Sequence, residues 1–163
     1  MRPILFRAKT IYNNTWIYGY PREIWSDKED RFIICPSKRW ESDGWDDVEE
    51  CEVNPDTLGL FTGLMTNNCK TILDKRVFEY DLFRHTKETD EGDITNYSVV
   101  MWIEKYAAFY LIPVEYYETI RDNDVIDEKE FSWLFDEALL SDFSSDICLT
   151  KVGNIFDNPE LLI

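Results

Sequence analysis

Histidine is almost missing from this 163-residue chain: His85 is the only one. A Ser–His–Asp or Cys–His catalytic system would have to be built on it, and no nucleophile-elbow glycine pattern accompanies it. His85 therefore reads as a surface or hydrogen-bonded histidine following Arg84. The four cysteines, Cys35, Cys51, Cys69 and Cys148, form no CxxC pair, so clustered ligands for structural zinc are lacking. They are expected to be reduced thiols, most of them packed as small hydrophobes. No GxxxxGK[ST] or GxGxxG phosphate loop occurs. No window approaches 18 consecutive apolar residues, and Arg7 and Lys9 interrupt the first apolar run too early for a signal sequence. A soluble, unsecreted protein is the expectation.

Metal sites fare no better. Asp122-Asn123-Asp124 opens like a calcium loop, but Ile126 and Asp127 stand where a third ligand and the turn glycine belong, and Trp133 replaces the closing Glu. Asp90-Glu91-Gly92-Asp93 reads as a polar turn. No metal, cofactor or catalytic residue is assigned, and the chain is expected not to be an enzyme.

Positive charge is also scarce: 17 Lys and Arg stand against 33 Asp and Glu, a net charge of −16. Residues 41–56 carry eight acids (Glu41, Asp43, Asp46, Asp47, Glu49, Glu50, Glu52 and Asp56) and no base. Residues 122–146 carry nine acids and one base, Lys129. Each stretch is −8, so the two account for the whole excess. Charge gathered in this way makes a local negative field that attracts basic partners and repels nucleic acid. The plainer reading is a solvated surface.

What the chain has in plenty is aromatic residues, with ten Phe, nine Tyr and six Trp. These favour strands and bury large areas. Strands are read at Ile4–Ala8, at Thr15–Tyr20 (ended by Pro21), at Arg31–Cys35 (stopped by Pro36) and at Val77–Leu82. Tyr97–Ile103 and Ala107–Ile112 bracket Glu104-Lys105-Tyr106 as a β-hairpin, and Cys148–Val152 is strand-like. Pro55-Asp56-Thr57 starts a turn, and Pro159 opens a single helical turn. The acidic stretch 41–52 reads as an exposed edge strand whose charges oppose edge pairing.

One helix is predicted near the C-terminus. Asp127 is its N-cap and Glu130 the capping-box partner. Phe131, Leu134, Phe135, Ala138 and Leu139 form its apolar stripe, which turns Glu128, Glu130 and Glu137 to solvent and leaves Trp133 at the rim or as an aromatic anchor. The fold class expected is mainly β, a β-rich α+β barrel or roll of short strands with one C-terminal amphipathic helix.

Four segments resemble the YopX-like family. Arg2–Lys9 with Trp16–Tyr20 is similar to its opening, and Val53–Leu64 (VNPDTLGLFTGL) to its most recognisable stretch. Val99–Trp102 with Ala107–Phe109 looks like its central hairpin, and Val152–Leu162 (VGNIFDNPELL) like its close. They run in family order along the chain. The resemblance implies a protein of temperate phages and prophages, acting in the bacterial host cytoplasm, with an SH3-like barrel element and no established activity. It implies one domain over 1–163, with an N-terminal β subdomain at 1–53, a barrel core at 54–112 plus 147–163, and a helical acidic insertion at 122–146. Two departures replace a glycine: Asn68-Cys69-Lys70 stands for Asn-Gly-Lys, and Glu79-Tyr80-Asp81 for Glu-Gly-Asp.

Charge and resemblance together suggest a non-enzymatic phage protein whose carboxylates mimic DNA phosphates. The partner expected is a basic host or phage protein with a nucleic-acid-binding surface, such as a host defence nuclease met by an anti-CRISPR-type inhibitor. The candidate binding residues are Glu41, Asp43, Asp46, Asp47, Glu49, Glu50, Glu52, Asp122, Asp124, Glu128, Glu130, Trp133 and Glu137. Rival readings are a structural or regulatory module that self-assembles through apolar contacts, and an aromatic-rich barrel that binds nucleic acid directly. The last is disfavoured because phosphate contacts need Lys and Arg.

Overall fold

The computed structural model describes residues 4–24, 31–36, 51–66, 75–87, 92–122 and 149–162. They form nine strands in antiparallel sheets and one α-helix, a β-rich α+β fold as the sequence leads one to expect. The chain divides into two compact units, Met1–Gly63 and Leu64–Ile163.

The first unit contains β1 (Phe6–Thr10), β2 (Trp16–Ile24), β3 (Arg31–Pro36) and most of β4 (Cys51–Met65). β1 pairs with β2, β2 with β3, β3 with β4, and β4 returns to β1, so the four strands close into a ring. A ring of so few strands has a narrow interior. It is filled by Ala8, Ile34 and Val53, with Ile17, Phe32 and Leu58 against them. Gly19 has no side chain for the same reason: a Cβ there would lie 1.9 Å from the Cys35 carbonyl oxygen. On the opposite face of β1, Arg7 and Lys9 are 4% and 5% exposed, and their cationic groups lie 4.6 and 5.5 Å from the Trp16 ring centre.

Two sequence expectations fail here for a shared reason. Pro21 does not end β2, which runs on to Ile24. Among the described residues, the strand beyond Gly19 pairs with β3 alone, Pro21 lying opposite Ile34. A proline that is asked for no amide donor on its open side is tolerated there. Nor does Pro55-Asp56-Thr57 turn the chain out of the sheet: it sits inside β4. Arg7 pairs with Gly59 and Lys9 with Asn54, so the proline segment is an outward bulge against β1. Its turn chemistry is real but local. Asp56 N donates to Asn54 Oδ1 (3.0 Å), Thr57 Oγ1 donates to the Asn54 carbonyl (2.7 Å), and Thr57 Oγ1 accepts from Lys9 N (2.8 Å).

The second unit carries β5 (Arg76–Phe78), β6 (Asp81–Lys87), β7 (Ile94–Ile103), β8 (Ala108–Pro113), α1 (Val114–Asp122) and β9 (Thr150–Asn154). Its four-stranded sheet runs β8-β7-β6-β9. One face packs Leu82, Val99, Met101, Tyr110 and Ile112 under Tyr117 and Ile120 of α1. The other packs Phe83, Val100 and Leu111 with Val77 and Leu149. The β7–β8 hairpin is where the sequence places it, closed by a 3-10 turn at Glu104–Tyr106 with Ala107 left-handed (φ 48°). The 3-10 turn Pro159–Leu162 is also as expected. Asn154 braces its approach, accepting from Phe156 N and Asp157 N, both at 3.0 Å. The helix predicted over 127–139 lies outside the described residues; the described helix, α1, begins directly after Pro113.

The predicted strand Val77–Leu82 is broken in two. Tyr80 takes a left-handed conformation (φ 69°) between β5 and β6. A side chain at such a φ costs about 1–2 kcal/mol, and surrounding bonds must hold it. Tyr80 N donates to the Val100 carbonyl (2.8 Å), Ile155 N donates to the Tyr80 carbonyl (3.1 Å), and the ring meets Phe156 edge-on at 5.4 Å. Next to it, the Asp81 carboxylate is 0% exposed and lies 2.6 Å from Lys151 Nζ. Asp81 Oδ2 also accepts from Phe78 N (2.8 Å), and Lys151 Nζ donates to the Arg76 carbonyl (2.8 Å). The carboxylate thereby ties β5, β6 and β9 together.

Burial, and then the Glu79 carboxylate, push the Tyr80 phenol from its ordinary 10 up to about 12. The folded chain thus holds this proton more tightly than the unfolded chain does. Its contribution to stability is complete below pH 10 and is lost as pH rises through about 12. In an absorbance titration of tyrosinate, the Tyr80 and Tyr117 phenols should ionise late, Tyr80 at about 12. The urea midpoint should fall between those pH values, and fall less steeply in Tyr80→Phe.

Candidate functional site

The structure describes two of the thirteen candidate residues. Glu52 lies on β4 opposite Ile33, half-buried. Its carbonyl accepts from Ile11 N (3.2 Å), and its Oε2 lies 3.5 Å from the Tyr12 hydroxyl. Asp122 ends α1 and is exposed. Arg121 Nε donates to its Oδ1 at 2.7 Å, and this hydrogen bond holds the carboxyl below the usual range. The Arg121 guanidinium, 5.3 Å from the Tyr117 ring centre, is raised in turn by the same bond. An acid that neutralises its own neighbour adds little to an outward field, so Asp122 is a weaker candidate than its place in the sequence suggests. Glu41, Asp43, Asp46, Asp47, Glu49, Glu50, Asp124, Glu128, Glu130, Trp133 and Glu137 lie outside the described residues.

Charge divides unevenly between the described body and the rest of the chain. The described residues hold 11 Lys and Arg against 12 Asp and Glu; the remainder holds 6 against 21. The body is therefore close to neutral, and the excess sits in the segments between its elements. Residues 37–50 join β3 to β4, which pair directly through Ile34 and Cys51. Residues 123–148 join α1 to β9. Residues 37–50 carry six acids against two bases, and residues 123–148 eight against one.

The sequence marks Asn13-Asn14 as turn chemistry, and these residues do form the turn that joins β1 to β2, but it gives the turn no role. Thr10 N donates to the Thr15 carbonyl (3.0 Å), and Asn14 N donates to the Thr10 carbonyl (3.1 Å) with Asn14 left-handed (φ 56°). Asn13 Oδ1 accepts from Thr10 Oγ1 and from Thr15 Oγ1 (2.7 Å). This braced turn presents Ile11 and Tyr12, 48% and 83% exposed. Two large apolar side chains at the tip of a polar turn were the available signal. Among the described residues, no group of three or more His, Cys, Asp or Glu is placed to hold a metal ion. No helix among them is long and apolar enough to cross a membrane.

Compared with protein-family models, curated proteins and solved structures, the chain matches none.

Proposed function

We propose that this chain is a non-enzymatic, YopX-like phage protein that binds a basic, nucleic-acid-binding surface of a host or phage protein through its acidic connections. The observation that carries the reading is the segregation of charge: the described β body is nearly neutral, and residues 37–50 and 123–148 carry most of the net negative charge. A fold that needed acid only for solubility has no reason to leave its own strands balanced. Carboxylates spread along two connections occupy positions that phosphates take on nucleic acid, and a partner rich in Lys and Arg gains by replacing one with the other. A nuclease of a host defence system has such a surface.

The test is isothermal titration of the full chain against purified basic nucleases and DNA-binding proteins, at about 50 mM and about 300 mM salt, where screening of spaced surface charges differs. Binding should weaken at least tenfold at the higher salt, and duplex DNA should compete. A variant with the acids of 41–50 and 123–146 changed to Asn and Gln should lose the interaction. Salt-insensitive binding, or binding that survives this neutralisation, overturns the proposal.

A further inference from the structure

We infer that the β1–β2 turn is the anchor of a protein interface, with Tyr12 and Ile11 seated against an arginine-bearing surface of the partner. The inference rests on the reading of the chain as a binder of basic proteins, and it names the residues that would give that binding a fixed geometry.

Field alone gives attraction without register. A specific complex also needs rigid, partly apolar anchors that lose little freedom on binding, a role in which Tyr is over-represented. The turn meets that need. Its backbone is held by Thr10 and Thr15 across the strands, its side chains by Asn13, and its base by Ile11 N on the Glu52 carbonyl. Tyr12 is nonetheless 83% exposed, so the ordering cost is met within the unit while the ring is left to an outside group.

The partner's chemistry follows from the charge beside the ring. Glu52 is in reach of the Tyr12 hydroxyl, and its carbonyl accepts from Ile11 N. β4 contains no Lys or Arg. The nearest cation on β1, Lys9, is buried beside Trp16 rather than turned outward. An aromatic face with a carboxylate beside it suits guanidinium better than ammonium. A planar guanidinium stacks on the ring and pairs with carboxylates in its own plane, whereas ammonium is a compact, strongly hydrated charge.

The experiment compares the full chain with Tyr12→Ala and Tyr12→Phe, using deca-arginine and deca-lysine peptides as probes and amide chemical-shift mapping as readout. Because the ring is exposed, neither substitution threatens the fold. Deca-arginine should shift the Ile11 and Tyr12 amides. Tyr12→Ala should weaken its binding about tenfold more than that of deca-lysine, and Tyr12→Phe should restore it. Equal effects on both peptides, or none, overturn the inference. So does a change in sedimentation of the chain alone on Tyr12→Ala, which would make the turn a contact between copies. The two readings fail separately. If Tyr12→Ala has no effect while neutralising the acidic connections abolishes binding, only the anchor is lost. If the connections can be neutralised without effect while Tyr12→Ala weakens binding, only the charge mechanism is lost.

Discussion

Asp81→Ala should destabilise the second unit by about 3–5 kcal/mol, the usual result of stranding one member of a buried ion pair. The substitution leaves the Lys151 ammonium, itself buried, with the Arg76 carbonyl as its remaining partner among the bonds described above, and leaves Phe78 N without its acceptor. The pair is not merely a favourable contact. It sits at the junction where β5 hands over to β6 and where β9 docks, next to a tyrosine held at positive φ. Loss of the carboxylate therefore loosens the restraint that keeps Tyr80 in its costly conformation. Lys151→Met should cost a comparable amount. The double variant Asp81→Ala with Lys151→Met should cost less than the sum of the two single changes, because no uncompensated charge is left inside. Urea denaturation of the four proteins gives the cycle directly. A loss below 1 kcal/mol for Asp81→Ala would show that the junction is held by its apolar neighbours instead.

Gly19→Ala should unsettle the first unit by about 3 kcal/mol, at the upper end of the usual cost of overpacking. One methyl group is a small change, but its surroundings cannot give way. The atom it meets is the Cys35 carbonyl oxygen, at 1.9 Å, and the Ile34 Cγ2 lies 2.8 Å away. The carbonyl belongs to the strand backbone opposite. Moving it means parting β2 from β3 in a ring where each strand is already committed to two neighbours. Ile34 fills the narrow interior and has no empty space to enter. The urea midpoint of the first unit should fall, and amide exchange should quicken along β2 and β3. An unchanged midpoint would mean that the ring is wider or softer than described.

How far the fold could be read from residues depended on what kind of signal marked each boundary. The hairpin of β7 and β8 was legible because Val99–Ile103 and Ala108–Ile112 are continuous, mostly buried apolar runs around a short turn. The 3-10 turn at Pro159 was legible because proline is preorganised for a first helical position. β2 was read too short because proline excludes only a paired amide, and pairing on one side alone is a tertiary fact. The split at Tyr80 had no signal in residue type, since Val77–Leu82 alternates like one strand; the pointer was the resemblance, in which Tyr80 stands for a glycine. α1 was missed because its buried residues, Tyr117 and Ile120, with Val114 before them, are aromatic or β-branched and resemble strand content. Of the candidate site, the charge pattern was plain from the chain. The Asn13-Asn14 turn was legible too, but its use was not, since two apolar side chains beside a turn signal do not by themselves say whether they stay uncovered.

The ring of β1 to β4 has a practical consequence. β3 and β4 pair with each other, so the chain leaves and re-enters the ring at adjacent points whatever lies between. Each doubling of such an excursion costs only about 0.6 kcal/mol in closure entropy. The span between Pro36 and Cys51 is thus a natural grafting port: foreign epitopes or reporter peptides of varied length could be spliced there while the frame around Ala8, Ile34 and Val53 keeps its shape.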